Sequence, residues 1–544
     1  MAPDHPCGAV APAWTARLVG RLPPALRRRA ARLPGAAAPP VGPGTATPRI
    51  AIVGAGFGGL GLGARLRQAG IRTFTIHEKA DRLGGTWRDN TYPGAACDVP
   101  SHLYSLSFAP KADWTRKFPQ QAEILAYLEQ VADDFDLRPH LRFGSEVAAA
   151  TFDEDAGVWR LEMADGSVDE VDVVVSATGQ LNRPYTPDLA GLDSFAGTTF
   201  HSARWEHDQD LSDRRVAVVG VGASAIQFVP EVAQQARSLT LFQRSVNYVA
   251  PKPDGEFSPR AKEMFRRWPP IRWAYRASIW ARYDARWLLF RSGSRTGRFV
   301  QSKFDDGLRL LTEGPLAGPA IVPDYPVGCK RLLISDNWYP TLLRPNVRVV
   351  TEPVDRVDAH GIVAGGAHHE VDVIVFGTGF QATGFLAPMR VTGRNGIDLH
   401  EHWADGAEAH LGMTVAGFPN LFLLYGPNTN LGHNSIVFML ERQIGYVLTC
   451  IRTLVEDRVA WLDVRPEAQQ RSNRRLVREL DRTVWAASCH SWYKTASGRI
   501  TNNWSGPSAR YWLRTARPRT ADFERSSSPL PAGRAAGPEV VRGR

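Results

Sequence analysis

Ile50-Ala51-Ile52-Val53-Gly54-Ala55-Gly56-Phe57-Gly58-Gly59 runs from four apolar residues straight into a glycine-rich turn. A short continuous apolar run bounded by glycine fits a strand buried on both faces. The first glycine allows the tight turn, the second lets backbone approach a pyrophosphate, and the third lets a helix pack closely on the strand. A helix-like run follows to Gly70, and a second strand pattern extends from Thr73 to His77. The whole is a βαβ unit. Glu78 closes it, where a carboxylate can accept hydrogen bonds from both hydroxyls of a ribose.

The same design returns at Val216. A strand over 216–219 leads into Gly220-Val221-Gly222-Ala223-Ser224-Ala225, a helix is expected to about Ala236, and a second strand covers 239–243. Glu78 lies 24 residues after Gly54, and Arg244 lies 24 residues after Gly220. The exchange of carboxylate for guanidinium decides the ligands. A carboxylate repels a 2′-phosphate, whereas a guanidinium pairs with it. The first unit therefore suits FAD, and the second suits NADPH. Two further strands, Val173–Ser176 and Val373–Phe376, each run into a small-residue turn, Ala177-Thr178-Gly179 and Gly377-Thr378-Gly379. The expected fold class is α/β, with two Rossmann-like dinucleotide-binding domains.

From these landmarks the chain divides as follows. Residues 1–48 form a flexible basic arm, in which Trp14 to Leu33 could make an amphipathic helix on the surface or in loose membrane contact. Residues 49–193 are the first part of the FAD domain. Residues 194–372 are the NADPH domain, with a helical insertion over 254–318. Residues 373–516 are the second part of the FAD domain, and 517–544 are a polar, disordered tail. Within the insertion, Trp268, Trp273, Trp280 and Trp287 are read as core or interdomain packing rather than as a ligand surface.

Composition is that of a globular chain: 43% hydrophobic and 22% charged over 544 residues. The formal charge of +10 could suggest nucleic acid, but the two ends carry a net +5 (1–48) and +3 (517–544), leaving the middle nearly neutral. Nucleic acid is therefore not an expected partner. No apolar run is long enough to span a bilayer. The five cysteines, Cys7, Cys97, Cys329, Cys450 and Cys489, include no CxxC pair. They read as neither a disulfide framework nor a zinc site, which makes a reducing cytoplasm the default compartment.

More specific segments carry a family resemblance. Phe195-x-Gly197-xxx-His201-xxx-Trp205 resembles the fingerprint of Baeyer–Villiger monooxygenases, with Glu206 where that fingerprint has Pro or Asp. Gly85-x-Trp87-xxxx-Tyr92-Pro93-Gly94-xxx-Asp98, continued by Ser101, Tyr104 and Phe108, matches a second family pattern. Asp324-Tyr325-Pro326-Val327-Gly328-Cys329-Lys330-Arg331 resembles the segment that holds the family's active-site arginine, and Ser491-Trp492-Tyr493 a nicotinamide-contacting loop. Residues 494–499 look more like the 4-hydroxyacetophenone monooxygenase branch than like other ketone oxygenases.

The resemblance implies an FAD-dependent enzyme that uses NADPH and O2 to turn a ketone into an ester or lactone through a C4a-peroxyflavin. It implies Arg331 as the catalytic stabiliser of negative charge and Asp98 as its orienting partner. Cofactor contacts are implied at Gly54, Gly56, Gly59, Glu78, Thr86, Trp87, Asp98, Tyr104 and Val147 for the first site. For the second they are implied at Gly220, Gly222, Ser224, Gln227, Arg244, Ser245, Lys330 and Trp492. His201 is implied to couple domains rather than to act as a base, and His433 is a further candidate for lining the site. The metal expectation is none.

Two other activities fit the same cofactors: oxygenation of N or S by a related flavin monooxygenase, and an uncoupled NADPH oxidase. A disulfide reductase needs two cysteines on one turn, and Cys97 stands alone. The substrate class implied is a small-molecule ketone; the many aromatics suit a bulky one, of the kind met in secondary metabolism.

Overall fold

A computed structural model describes residues 45–529, except 315, 317–320 and 490. The basic arm with its expected amphipathic helix, and the tail beyond 529, lie outside the described residues.

Two five-stranded parallel sheets organise the chain. The first has the order Leu421–Leu423, Val173–Ser176, Ile50–Val53, Phe74–His77, Leu141–Arg142. Its central strand, Ile50–Val53, is buried along its whole length, as the unbroken apolar run predicts. The helix Phe57–Gln68 follows it, and Gly58, Gly59, Leu60 and Leu62 are buried under the sheet. The second sheet repeats the plan with Val347–Val350, Ser238–Phe242, Arg215–Val219, Val373–Phe376, Thr198–His201. The helix Ala225–Gln235 packs on it. A four-stranded sheet flanks the first unit and a three-stranded antiparallel sheet flanks the second.

The repeat extends to backbone detail. Gly54 and Gly220 both have positive φ, +109° and +101°. A Cβ on either would lie 2.7 Å from a carbonyl oxygen, of Ala177 in one case and Gly377 in the other. Each glycine is thus demanded by its conformation and by the small-residue turn that ends the neighbouring strand.

The strand Val373–Phe376 corrects the expected boundary at residue 373. It pairs with Arg215–Val219 and Thr198–His201, inside the second sheet. The chain leaves that sheet only after Gly379. There the outgoing segment lies antiparallel to the incoming one: Pro184 faces Phe380, Tyr185 N donates to Gly379 O and Gln381 N donates to Arg183 O, both at 2.9 Å.

The tail expectation is also corrected at its start. Phe523–Arg525 is a strand paired with Leu462–Val464, and Phe523 is buried in the first core. Arg471 and Arg394 reach Asp522 and Glu524 on either side. One apolar residue between charges was too short a pattern to be read as a strand.

The insertion is helical as expected, with helices Pro259–Arg267, Pro269–Ala285 and Arg295–Thr312. Its tryptophans divide. Trp280 packs on Phe438 and donates to Ser508 Oγ, and Trp287 packs against Trp485 and His433. Trp268, at the junction of the first two helices, and Trp273, near the start of the second, are exposed, contrary to the packing expectation. The inner face is anchored by charge. Buried Arg276 donates to His102 O and Ser105 Oγ, with Glu441 at 3.7 Å.

Asp284 binds the start of the helix Ser508–Thr515, accepting from Ser508 N and Oγ and from Ala509 N. Burial works to raise its pKa, but the nearby His433 ring, 3.5 Å away, and the hydrogen bonds from Ser508 and Ala509 outweigh it and hold the carboxyl at about 2. This lowered pKa supplies stability that is complete above about pH 4 and is lost as pH falls through 2. Asp284→Asn should therefore cost about 2 kcal/mol at pH 7. The difference from wild type should shrink towards zero below pH 3, as read from urea midpoints at the two pH values.

Candidate active site

The site lies where the carboxyl ends of the two sheets face each other. The first intrahelical bond after the Gly54–Gly59 turn is Leu60 N to Gly56 O. The preceding N–H groups are therefore left facing out of the helix end, where an anionic group is favoured. Gly85 approaches Gly56, and a Cβ on Gly85 would lie 3.3 Å from the Gly56 Cα. Two facing glycines leave a slot free of side chains at the helix N-terminus, which fits a pyrophosphate. A Cβ on Gly59 would sit 1.9 Å from Gly54 O, the close helix–strand packing expected of the third glycine. Glu78 is buried just past the second strand; its Oε2 accepts from Ala55 N at 2.9 Å and its Oε1 pairs with Arg88 at 2.9 Å. It is held beside the turn, where a ribose would follow the pyrophosphate.

Around this slot, Trp87 Nε1 donates to Tyr104 Oη at 3.1 Å, and Tyr104 packs edge-on to Phe57. Thr86 opens the short helix Thr86–Asp89 after Gly85. Val147 places its side chain in the core between the first sheet and the four-stranded sheet, away from the slot.

At the second turn, Gly220 and Gly222 precede Ser224, which stands at the N-terminus of the helix Ala225–Gln235. Lys330 Nζ lies 3.0 Å from Ser245 Oγ and 4.5 Å from the centre of the Tyr325 ring. Burial lowers the Lys330 pKa, Asp324 raises it, and the nearby Arg244 lowers it further. The fold has thus brought two cations and a hydroxyl together from segments 85 residues apart. Arg244 is exposed and makes no ion pair among the described residues. That donor set fits a phosphate.

Between the two turns lies the pair expected from sequence. Arg331 Nη2 donates to Asp98 Oδ2 at 3.0 Å. Burial works to lower the Arg331 pKa, but the Asp98 charge and the Tyr493 and Tyr425 hydroxyls outweigh it, so the pKa is raised. The guanidinium keeps its proton at any working pH.

Gln227 departs from its expected cofactor role. Its Oε1 accepts from Tyr92 Oη at 3.0 Å and from Ala96 N at 3.3 Å. Its Nε2 donates to Ala96 O at 3.0 Å and to Asp98 Oδ1 at 3.4 Å. The amide is fully used in tying the helix Ala225–Gln235 to the segment that carries Asp98. Gly94 makes the approach possible, since a Cβ there would lie 2.8 Å from Gln227 O.

The fingerprint residues lie beside the crossing segments. Phe195 and Gly197 precede the strand Thr198–His201. His201 Nδ1 accepts from Ala203 N at 3.0 Å, and its ring meets Phe380 edge-on. Burial lowers its pKa, so the ring is neutral. Trp205 packs on Phe200 and Phe228. His433 is enclosed by Trp287, Phe290 and Asp284, which holds the insertion in place.

Trp492 is half-buried, with its backbone carbonyl accepting from Asn502 Nδ2. The residue of that loop whose charge state is coupled to Arg331 is its neighbour Tyr493, whose pKa is pushed up to about 12 by burial. Sequence reading missed both Tyr493 and Tyr425 as neighbours of Arg331. Tyr425 has a positive φ of 61° and donates to Asn430 Oδ1 at 2.7 Å. The Gly426-Pro427-Asn428 turn that follows it was the available signal.

Two nucleotide-binding sheets meeting over an arginine–carboxylate pair define a two-dinucleotide flavoprotein. Residues 47–261 match the flavin-binding monooxygenase-like family. The chain is 45% identical to a Baeyer–Villiger monooxygenase of Streptomyces coelicolor, over 88% of this chain and 92% of the relative. It is 42% identical to a Baeyer–Villiger monooxygenase of Pseudomonas aeruginosa, over 89% and 92%. The crystal structure of OTEMO in complex with FAD and NADP superposes with a TM-score of 0.80 at 28% identity, covering 89% of this chain and all of that one. The chain belongs to the Baeyer–Villiger monooxygenase family, and its cofactors are FAD and NADPH. No described helix is long and apolar enough to cross a membrane.

Proposed function

We propose that this enzyme uses NADPH and O2 to insert one oxygen atom beside the carbonyl of a ketone, giving an ester or lactone, with Arg331 as the catalytic residue. The observation that carries this reading is the Arg331–Asp98 pair, whose carboxylate is also tied by Gln227 to the helix that follows the second nucleotide-binding turn. FAD bound at the first sheet supplies oxygen activation, and NADPH bound at the second supplies the hydride.

The chain's own residues supply binding and charge. Gly54, Gly56 and Gly59 admit the FAD pyrophosphate to the helix end, and Glu78 takes the ribose hydroxyls. Gly220, Gly222 and Ser224 do the same for the second nucleotide, while Arg244, Ser245 and Lys330 hold its 2′-phosphate. Arg331 would stabilise negative charge on the reacting oxygen, and on the carbonyl oxygen as its carbon becomes tetrahedral, without giving up a proton. A lysine would do this less well, because burial lowers a lysine's pKa and makes it a proton donor. Asp98 orients the guanidinium, and Gln227 is a positioning residue that makes this orientation depend on the second domain.

The test is to reduce the purified yellow enzyme anaerobically with NADPH, add oxygenated buffer with a ketone panel, and weigh the products. An ester or lactone heavier than its ketone by one oxygen supports the reading. Oxygenation of amines or sulfides alone, or stoichiometric H2O2 with every ketone, overturns it.

A further inference from the structure

Cys329 and Cys489, read from sequence as unrelated thiols, are joined as a disulfide across 160 residues, with Cα atoms 6.4 Å apart. Cys329 immediately precedes Lys330 and Arg331 and is wholly buried in the second core. Cys489 is half-buried against that same core, two residues before Ser491-Trp492-Tyr493. Tyr493 itself belongs to a different core, with Trp485, Trp504 and Tyr511. The bond therefore joins the segment that carries Arg331 to the segment leading into Ser491-Trp492-Tyr493, at the point where that segment passes from the second core to the core that holds Tyr493.

The other ties of this second segment are local. Lys494 Nζ donates to the carbonyls of Ala487 and Cys489. Tyr493 O accepts from Thr501 N, and Trp492 O accepts from Asn502 Nδ2. These bonds shape the loop but do not reach the Cys329 segment.

We propose that Cys329 and Cys489 form a thiol–disulfide site, oxidised by peroxides and reduced by small thiols, that clamps residues 487–489 and 491–495 to the Arg331 segment. The chemistry balances in both directions. In oxidation, the Cys489 thiol attacks hydrogen peroxide, giving a sulfenic acid and one water. The Cys329 thiol then attacks that sulfur, forming the S–S bond and releasing a second water. In reduction, an external thiolate attacks the accessible Cys489 sulfur and Cys329 leaves as a thiolate. A second external thiol frees Cys489 and departs as the external disulfide.

Reduction removes a cross-link between segments otherwise joined by packing, so the loop opens more often. The bond itself is independent of the reaction proposed above. Its effect on NADP+ rests on the placement of that nucleotide under the loop.

The test compares the FAD-loaded wild type and Cys489→Ser after peroxide treatment and after dithiothreitol. Non-reducing peptide mapping should find a Cys329–Cys489 linked peptide only in oxidised wild type. Amide hydrogen exchange over 487–489 and 491–495 should be slowed about tenfold by oxidation in wild type and unchanged by it in Cys489→Ser. The NADP+ Kd should rise about threefold on reduction, in wild type alone. Full alkylation of both cysteines after peroxide overturns the site. A linked peptide with unaltered exchange overturns the clamp. A linked peptide and slowed exchange with an unaltered Kd leave the clamp standing and overturn the placement of NADP+ beneath it.

Discussion

Arg331→Ala lowers kcat for ester formation by about 10²–10³-fold, the usual cost of removing a donor aimed at developing negative charge. NADPH still bleaches the flavin absorbance in this variant, because the nucleotide-binding turns are untouched. Oxygen is still consumed, and it emerges as H2O2 instead of ester. The pairing with Asp98 sharpens the expectation. Asp98 is nearly enclosed, with a side-chain exposure of 12%. Removing its partner leaves that carboxylate, among the described residues, with only the weak 3.4 Å contact from Gln227. Arg331→Lys should recover part of the lost rate, and least at high pH, where a lysine lowered by burial begins to lose its charge. Product analysis by gas chromatography alongside a peroxide assay separates these outcomes. Ester formation at the wild-type rate in Arg331→Ala would remove the residue from the chemistry.

Arg244→Ala raises the KM for NADPH about tenfold and leaves the KM for NADH unchanged. The figure is the lower end for a charged hydrogen bond, because Arg244 is exposed and water screens it. Lys330 and Ser245 remain to hold part of the phosphate, so the loss is partial. Salt distinguishes this from a folding defect. Raising ionic strength should weaken NADPH in the wild type towards the variant's value, with no effect on NADH. An equal rise in KM for both nucleotides would place the arginine elsewhere than at the 2′-phosphate.

The parts of this enzyme legible in sequence are those fixed by neighbouring residues. Gly54 and Gly220 announce their turns because backbone geometry demands them, and Glu78 and Arg244 follow at the distance one helix and one strand impose. The strand Val373–Phe376 was legible as a strand but not as a member of the second sheet. A fully apolar strand pairs equally well with either sheet, and long-range connectivity decides which. Tyr425 and Tyr493 reach Arg331 from segments about 90 and 160 residues away, through packing that leaves no local pattern. Gln227 was legible as a polar residue on the second helix, but its partners Tyr92, Ala96 and Asp98 come from the other unit. The Cys329–Cys489 bond was hidden for the same reason: nothing near either cysteine marks the other.

The single bridge between Pro184 and Phe380 gives the second sheet one doorway, through which the chain both enters and leaves. Entrance and exit side by side are what a guest domain needs in order to be seated in a host without breaking it. All the strands of the first sheet lie before this doorway or after it, so a short turn from Arg183 to Gln381 would restore the host's continuity. The enzyme thus seats one nucleotide-binding fold inside another of the same design, and the guest meets the chain of its host at one point.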